Sequence, residues 1–305
     1  MCGLCERSAL GLVSASHHNR SRRPADHYMA AGVFPHAVVR MARDFIFTYE
    51  SCIAVAALFA SHQSWLLCHA ALAHYFPGEQ FSHGWLTRRV FGMLAVRHNI
   101  CSRNTATTLF SHAIERGALT PLMGIGDIKL EQAVPSPAAM TLLTSWYRAH
   151  FEALDLIDGG DRAMWLLADP VRSLALIQFE VACALLCEET LRAPGPLYTI
   201  FTWADSGSLL MDRLIGGIDV TGIGRQDRHQ TTVSSLTWLA QSSGLSRAHT
   251  SRKMSAAERI GGIGWTGRRG RSELWVSQGF YEEYARVQVC KLLILDEISA
   301  RARFA

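Results

Sequence analysis

The sequence predicts a mainly α-helical chain made of two units of similar plan, and three observations support this. Apolar residues recur at helical spacing through most of the chain, while strand signals are confined to short pieces around Gly264-Trp265 and Glu273-Leu-Trp-Val276. Asp158-Gly-Gly-Asp161 is the strongest internal break, because adjacent glycines between acids suit a connection rather than a helix interior. Residues from Thr87 to Gly117 realign on Thr232 to Gly262 at a constant offset of 145 residues.

Bulk composition narrows the class. With 305 residues, 49% of them hydrophobic and 18% charged, the chain can bury a sizeable core and reads as globular. A formal net charge of +4 permits an acidic partner without demanding one, so where the charge sits matters more than its total. The cysteines are Cys2, Cys5, Cys52, Cys68, Cys101, Cys183, Cys187 and Cys290; they follow no framework spacing, and no secretory signal is visible, which suggests reduced thiols in the cytoplasm. Ser51 to Phe76 is the most apolar region, but His62, Gln63, His69 and His74 interrupt it. A bilayer span needs ~20 predominantly apolar residues, so a buried helix or helix pair is expected there instead of a membrane span.

The elements follow in order. Residues 1–27 carry few large apolar side chains and read as a flexible tail. Cys2-Gly-Leu-Cys5 with His17-His18 nearby falls short of a metal site, which wants four ligands on a defined scaffold. Helices are expected over Val38–Ala60, Trp65–Tyr75 (stopped by Pro77-Gly78), Thr87–Arg97 and Thr105–Arg116 (ended by Gly117). Ser136-Pro137 has the form of an N-cap followed by a first-turn proline, opening a helix through Leu156. After the double glycine come Val171–Arg192, Ser206–Ile218, Thr232–Ser242, Arg247–Ile260 and Gly279–Ile298. The expected units are 28–160 and 161–305.

Both halves then run long helix, helix, two short helices, hairpin-like piece, long helix. At the 145-residue offset, Thr87, Leu94, Ala95, Thr105 and Gly117 meet identical residues, and no gap is required. Leu239-Ala240-Gln-Ser-Ser-Gly244-Leu245-Ser246 satisfies the needs of a helix-turn-helix: two inward residues on the first helix, a glycine free to take positive φ, a plug between the helices, and a serine cap for the second. Asn99 stands in the glycine's place in the first half, and asparagine is the next most tolerant of that conformation. Thr250, Met254 and Ala257 would face the core, leaving Arg247, His249, Ser251, Arg252 and Ser255 outward.

Leu-Ala-x-x-x-Gly-Leu-Ser-Arg, a basic helix ending in glycine, and the basic turn Gly267-Arg-Arg-Gly-Arg271 together resemble the winged helix-turn-helix of MarR-type bacterial regulators. Arg271-Ser-Glu-Leu-Trp-Val-Ser277 is similar to that family's wing strand and the start of its next helix, and Gly279–Ile298 sits where the family places its dimerisation helix. The resemblance is strongest over 232–298 and weaker over 87–157. The family wing carries an acid two residues before an arginine, whereas the second half has Arg269-Gly270-Arg271; Asp127-Ile-Lys129 of the first half is nearer in type. Its members are homodimers of about half this length, so the expected fold is mainly α: two tandem winged helix-turn-helix units with long flanking helices forming a pseudo-dimer, monomeric or homodimeric as a chain.

The function this implies is sequence-specific binding of double-stranded DNA in transcriptional regulation. Arg247, His249, Ser251 and Arg252 would enter the major groove, and Arg268, Arg269 and Arg271 would reach the backbone or minor groove. Arg103, Asn104 and Thr107 would play a weaker reading role, since residues 99–126 net +1 against +6 for residues 244–271. The alternative is a protein-interaction module built from winged helices that have lost DNA binding. The resemblance also implies a small-molecule effector, for which the sequence places no pocket. Phosphate-loop, zinc-protease and serine-hydrolase motifs are absent, so no cofactor, metal or enzymatic activity is expected.

Overall fold

The computed structural model describes residues 25–76, 84–122, 132–202 and 207–303. Cys2, Cys5, His17, His18, Asp127 and Lys129 lie outside them. The described chain is mainly helical with two small antiparallel sheets.

The first half holds α1 (Ala25–Met29), α2 (Phe34–Ser51), α3 (Ile53–Ala56), a 3-10 turn, α4 (His62–Tyr75), α5 (Arg88–Arg97), α6 (Arg103–Glu115), β1 (Leu119–Pro121), β2 (Ala133–Pro135) and α7 (Pro137–Asp158). The second holds α8 (Arg162–Ala168), α9 (Pro170–Cys187), α10 (Glu189–Arg192), α11 (Pro196–Thr202), α12 (Ser208–Gly216), β3 (Arg228–Gln230), α13 (Leu236–Ser242), α14 (Arg247–Arg259), β4 (Ile263–Trp265), β5 (Leu274–Ser277) and α15 (Gln278–Ala302). Two expected helices are broken. The one over 38–60 stops at Cys52, whose non-helical backbone (φ −153°, ψ 68°) turns the chain into α3. The one over 171–192 breaks at Glu188, whose ψ of 115° is not helical. α8, α11 and β3 had no expected counterpart, being too short to show a period, while β1 and β2 form the pairing expected of the first half's hairpin-like piece.

Local capping follows the sequence. Ser136 accepts from the Ala139 amide, with Pro137 in the first turn, and Gly159 (φ 74°) ends α7 in the left-handed region. Ser102 and Ser246 accept from Thr105 and His249 and open α6 and α14. Asn99 and Gly244 both take positive φ, and the amides that follow bond alike: Ile100 N to Ala95 O at 2.9 Å, Leu245 N to Ala240 O at 3.0 Å.

The two halves match through these bonds with two corrections. Thr87 caps α5, but Thr232 lies outside α13, which Ser235 opens three residues later. The offset is 145 residues as far as Asn99 and Gly244, but 144 from the caps Ser102 and Ser246 onward, because the first turn is one residue longer. Thr105 therefore does not correspond to Thr250. Thr105 is exposed, and Ala106, Phe110 and Ala113 occupy the buried positions of Thr250, Met254 and Ala257. Gly117 (φ 75°) matches Gly261 (φ 73°) rather than Gly262. At the shifted offset Ser102, Arg103, Ser111, Ala113 and Gly117 all meet identical residues, a stronger signal than the gap-free alignment gives. Past the hairpins the pattern continues: Ser136 N bonds to Ala118 O and Ser277 N to Gly262 O, at 2.9 and 2.8 Å.

Packing crosses the midpoint of the chain. α2 lies against α7 and α12, while α9 lies against α4 and α15, so the first long helix of each half packs on the second helix of the other. One buried cluster accordingly draws Val38, Met41, Tyr147 and Phe151 from the first half together with Ile177, Leu214, Tyr284 and Leu295 from the second. A smaller cluster under α5, α6 and β1 belongs almost wholly to the first half. The Asp158-Gly-Gly-Asp161 break is a tight joint: Arg162 binds Asp155, Asp158 and Asp296 at 3.0, 2.7 and 2.6 Å, tying the joint to α15. By length and composition α9 is apolar enough to cross a membrane, as is the sharply bent pair of Ile53–Phe59 with α4. Half of α9 is buried inside the protein, against α4 and α15 among others.

Candidate nucleic-acid interface

α13 and α14 form a helix pair set by local chemistry. Ser235 caps α13 by accepting from the Trp238 amide; Leu239 and Ala240 are buried as their position requires. Gly244 makes the bend at φ 66°, and a Cβ there would sit 2.9 Å from the Tyr49 hydroxyl, so α2 itself presses on the turn. Leu245 is half-buried between the helices, and Thr250, Met254 and Ala257 fix the inner face of α14.

Arg213 clamps this pair from α12. Its side chain is 5% exposed and donates to the Ser242 carbonyl at 2.6 Å and to Glu50 at 2.8 Å, with the guanidinium 5.2 Å from the centre of the Trp238 ring. The last carbonyls of a helix lack intrahelical partners, and a cation there satisfies both the bond and the dipole.

The sheet beside α14 has the order β3-β5-β4, all antiparallel, with Ile263 opposite Val276 and His229 also opposite Val276 from the other side. Trp275 lies flat over Gly264, where a Cβ would come within 2.2 Å of the ring, and Arg228 stacks on the same indole at 4.3 Å. The β4–β5 loop, residues 266–273, is pinned by Gly267 N to Ser272 Oγ (2.9 Å) and Arg271 N to Arg268 O (2.9 Å), with Gly270 at φ 75°. It therefore carries its arginines on a short, braced hairpin.

Arg247 and Arg252 are exposed on α14, Ser251 is half-buried, and Arg259 is exposed at the helix end. His249 is half-buried with its Nε2 shielded from solvent. Arg268 and Arg271 are exposed at the hairpin tip. Among the described residues no carboxylate pairs with Arg247, Arg252, Arg259, Arg268 or Arg271. Arg269 differs: it folds back on α14, pairing with Glu258 at 3.2 Å and donating to Ser255 at 2.8 Å. Lys253, part of the same basic run, points the other way and donates to the carbonyls of Ile200 and Phe201 at 2.8 and 3.3 Å. The run thus divides into an outward arginine set, one arginine that braces the hairpin, and one lysine that fastens α14 to α11.

The equivalent surface of the first half is weaker. Arg103 and Asn104 are exposed; Thr107 is half-buried and its hydroxyl donates to the Arg103 carbonyl at 2.9 Å. The stem of Arg103 crosses Gly92 of α5, where a Cβ would sit 2.9 Å from its Cγ. Arg88 donates to Ser111 at 2.6 Å, the counterpart of the Arg269–Ser255 bond, but from α5 rather than from a hairpin. Eleven residues, 122–132, link β1 to β2, against eight linking β4 to β5.

Sequence reasoning missed Arg213 and β3. Arg213 is legible only once Glu50 and Ser242, far apart in the chain, meet it; β3 is three residues long and pairs with β5 across more than forty intervening positions. The chain matches no protein-family model, no curated protein and no solved structure.

Proposed function

We propose that the protein is a duplex-DNA-binding transcriptional regulator of the cytoplasm, similar to the MarR type, with two tandem winged helix-turn-helix units arranged as a pseudo-dimer within one chain. The observation that carries this reading is the outward arginine set. Arg247 and Arg252 on α14, and Arg268 and Arg271 on the braced hairpin, are exposed and have no acidic partner among the described residues. A helix with a capped, electropositive N-terminus beside a basic hairpin matches how such folds grip a phosphate backbone while the helix reaches base edges. Ser251, with His249 beside it on the first turns, completes the reading face; Arg269 acts mainly by holding the hairpin against α14. In the first unit Arg103, Asn104 and Thr107 occupy the corresponding place with less charge.

Two reading helices about one turn of duplex apart, ~34 Å, would address two half-sites. Because the units differ in charge, the preferred site is asymmetric, and the second unit dominates affinity. The test is a fluorescence-anisotropy titration on random-sequence duplex at low and moderate salt, followed by selection of bound sequences. Salt-sensitive binding that the Arg268→Ala/Arg271→Ala variant loses supports the reading; no binding by the wild type at low salt ends it.

The second reading is a protein-interaction module. It is favoured by the nearly neutral first unit, where α5 exposes Met93 and Val96 on one face, at 45% and 54%. A chain that binds no DNA but shifts in mass when a partner is added would select it.

A further inference from the structure

The chain contains 30 cationic residues, yet only Lys129, Lys253 and Lys291 among them are lysines. Arginine stays charged in any protein environment, whereas lysine can give up its proton when buried and then act as a nucleophile. Lys253 is held by two backbone carbonyls at the surface of α14. Lys291 is placed otherwise. It is 7% exposed, on α15, and lines a cavity of about 180 Å³ between α2, α4, α7, α12 and α15.

The surroundings of its amine are unusual for a cation. The nitrogen donates to the Gln288 amide oxygen at 3.3 Å and lies at cation–π distance, 5.0 Å, from the centre of the Trp65 ring, but Lys291 makes no ion pair among the described residues. The nearest carboxyl to line the cavity with it, Asp212, accepts instead from the Tyr284 hydroxyl at 2.7 Å. His62 and His69 also line it, and burial keeps both neutral near pH 7. Most of the remaining wall is apolar and aromatic, with Trp146, Phe59 and Leu72, and Thr48, Ser61, Thr202 and Ser208 add hydroxyls to it. Cavities of ~150 Å³ accept a benzene-sized molecule, so this one takes a ligand of about that size.

We propose that this cavity is a carbonyl-capture site, in which the Lys291 amine forms a reversible imine with a small apolar aldehyde. The nitrogen lone pair forms a C–N bond to the carbonyl carbon while the carbonyl oxygen takes up a proton. The nitrogen gives up one of its two protons to leave a neutral carbinolamine, whose hydroxyl takes up a second proton and departs as water; the nitrogen then gives up its last proton, and a C=N bond stays. No oxidant or reductant is needed, and hydrolysis reverses the step. Burial lowers the Lys291 pKa to about 8, so free amine is present at neutral pH; Asp212 and Cys290 act on it in the opposite direction. Burial raises Asp212 to about 7, leaving a share of it as the neutral acid that can supply the proton. The site stands apart from the arginine surface and does not depend on DNA binding.

The test treats the full chain with benzaldehyde and cyanoborohydride at pH 7, which fixes any imine as a benzyl amine, and maps the label on peptides. The expected result is benzyl label on Lys291, beside the label that the N-terminal amine, with its ordinary pKa of ~8, takes up. A lysine near pKa 8 has on the order of 100-fold more free amine than an ordinary one, so label should reach Lys291 at least tenfold faster than Lys253. Lys291→Arg, which keeps the charge, should abolish that label. Leu72→Trp, which narrows the cavity, should slow it while leaving the slow reaction of Lys253 unchanged. Label confined to Lys129, Lys253 and the N-terminal amine overturns the proposal, as does label on Lys291 that appears only in urea. The wild-type map decides the matter by itself if either variant fails to fold.

Discussion

Asn99 and Gly244 hold the same left-handed backbone, at φ 49° and 66°, at equivalent bends of two helix pairs 145 residues apart. At the first bend one extra residue follows before the serine cap, and this single insertion separates the two offsets that relate the halves. The equivalence predicts opposite responses to substitution. Gly244→Ala should destabilise by ~1–2 kcal/mol, because an L side chain is strained at that φ and its Cβ meets the Tyr49 hydroxyl at 2.9 Å. Asn99→Gly should be neutral or stabilising by up to ~1 kcal/mol, since it relieves the same strain. Urea denaturation of the two variants checks this; loss of stability in Asn99→Gly equal to that in Gly244→Ala would refute it.

The arginines of the hairpin are not equivalent. Arg268 and Arg271 lack acidic partners among the described residues, while Arg269 pairs with Glu258. If the DNA-binding reading holds, Arg268→Ala and Arg271→Ala should each reduce the slope of log affinity on log salt by ~0.9, and Arg269→Ala by clearly less. Arg103→Ala in the first unit should have a smaller effect on affinity than Arg247→Ala. Anisotropy titrations across a salt series measure all four; equal effects at Arg268 and Arg269 would contradict the assignment of Arg269 as a brace.

Arg162 holds three carboxylates at the joint between the halves, and Asp296 also accepts from Tyr28 at 2.6 Å. Its partners and the desolvation they overcome keep its guanidinium firmly protonated, with the pKa raised. Arg162→Met leaves a set of acids unpaired in a largely buried place and should cost ~3–5 kcal/mol. Asp158→Asn, which removes only one partner, should cost less. Chemical denaturation reads both, and a loss under ~1 kcal/mol for Arg162→Met would show that the joint contributes little.

Three histidines make stability depend on acid. Burial lowers His69 and His150 to about 3 and His62 to about 4, while an unfolded histidine titrates near ~6.5. Between those values the unfolded chain takes up protons that the folded one refuses. The contribution is therefore complete above ~6.5 and declines as pH falls toward the folded values, by up to ~1.4 kcal/mol per pH unit for each residue. Asp212 works the other way: its pKa, raised to about 7, favours the folded state at low pH, and that share is lost as pH rises through about 7. His150→Gln keeps a donor for the Trp146 carbonyl, which His150 meets at 2.7 Å, and removes one titration. Stability measured between pH 7 and pH 4.5 should fall less steeply in His150→Gln than in the wild type; parallel curves would disprove the assignment.

Much of the candidate interface was legible because it is local. Leu239, Gly244, Ser246 and the buried stripe Thr250–Met254–Ala257 each lie within one or two helical turns of the next, and each took the place its chemistry required. The hairpin was placed by Trp265 and by Leu274 to Val276, whose alternation is short but adjoins a glycine-rich turn. The gap between Ile100 and Ser102 was not legible, since two identities beyond it, at Thr105 and Gly117, supported a gap-free alignment that the caps overrule.

The sequence by itself determined the mainly helical class, the serine caps, the left-handed bends and the crowding of arginine near residue 250, because each depends on side chains a few positions apart. Only the tertiary structure decided that α2 packs on α12 and α9 on α4, that Arg269 and Lys253 turn away from the arginine surface, and that Lys291 lies in an aromatic cavity. The reason is physical: capping and helix propensity are set by the nearest turn of backbone, whereas burial and charge pairing are set by groups on other elements that only the fold brings together.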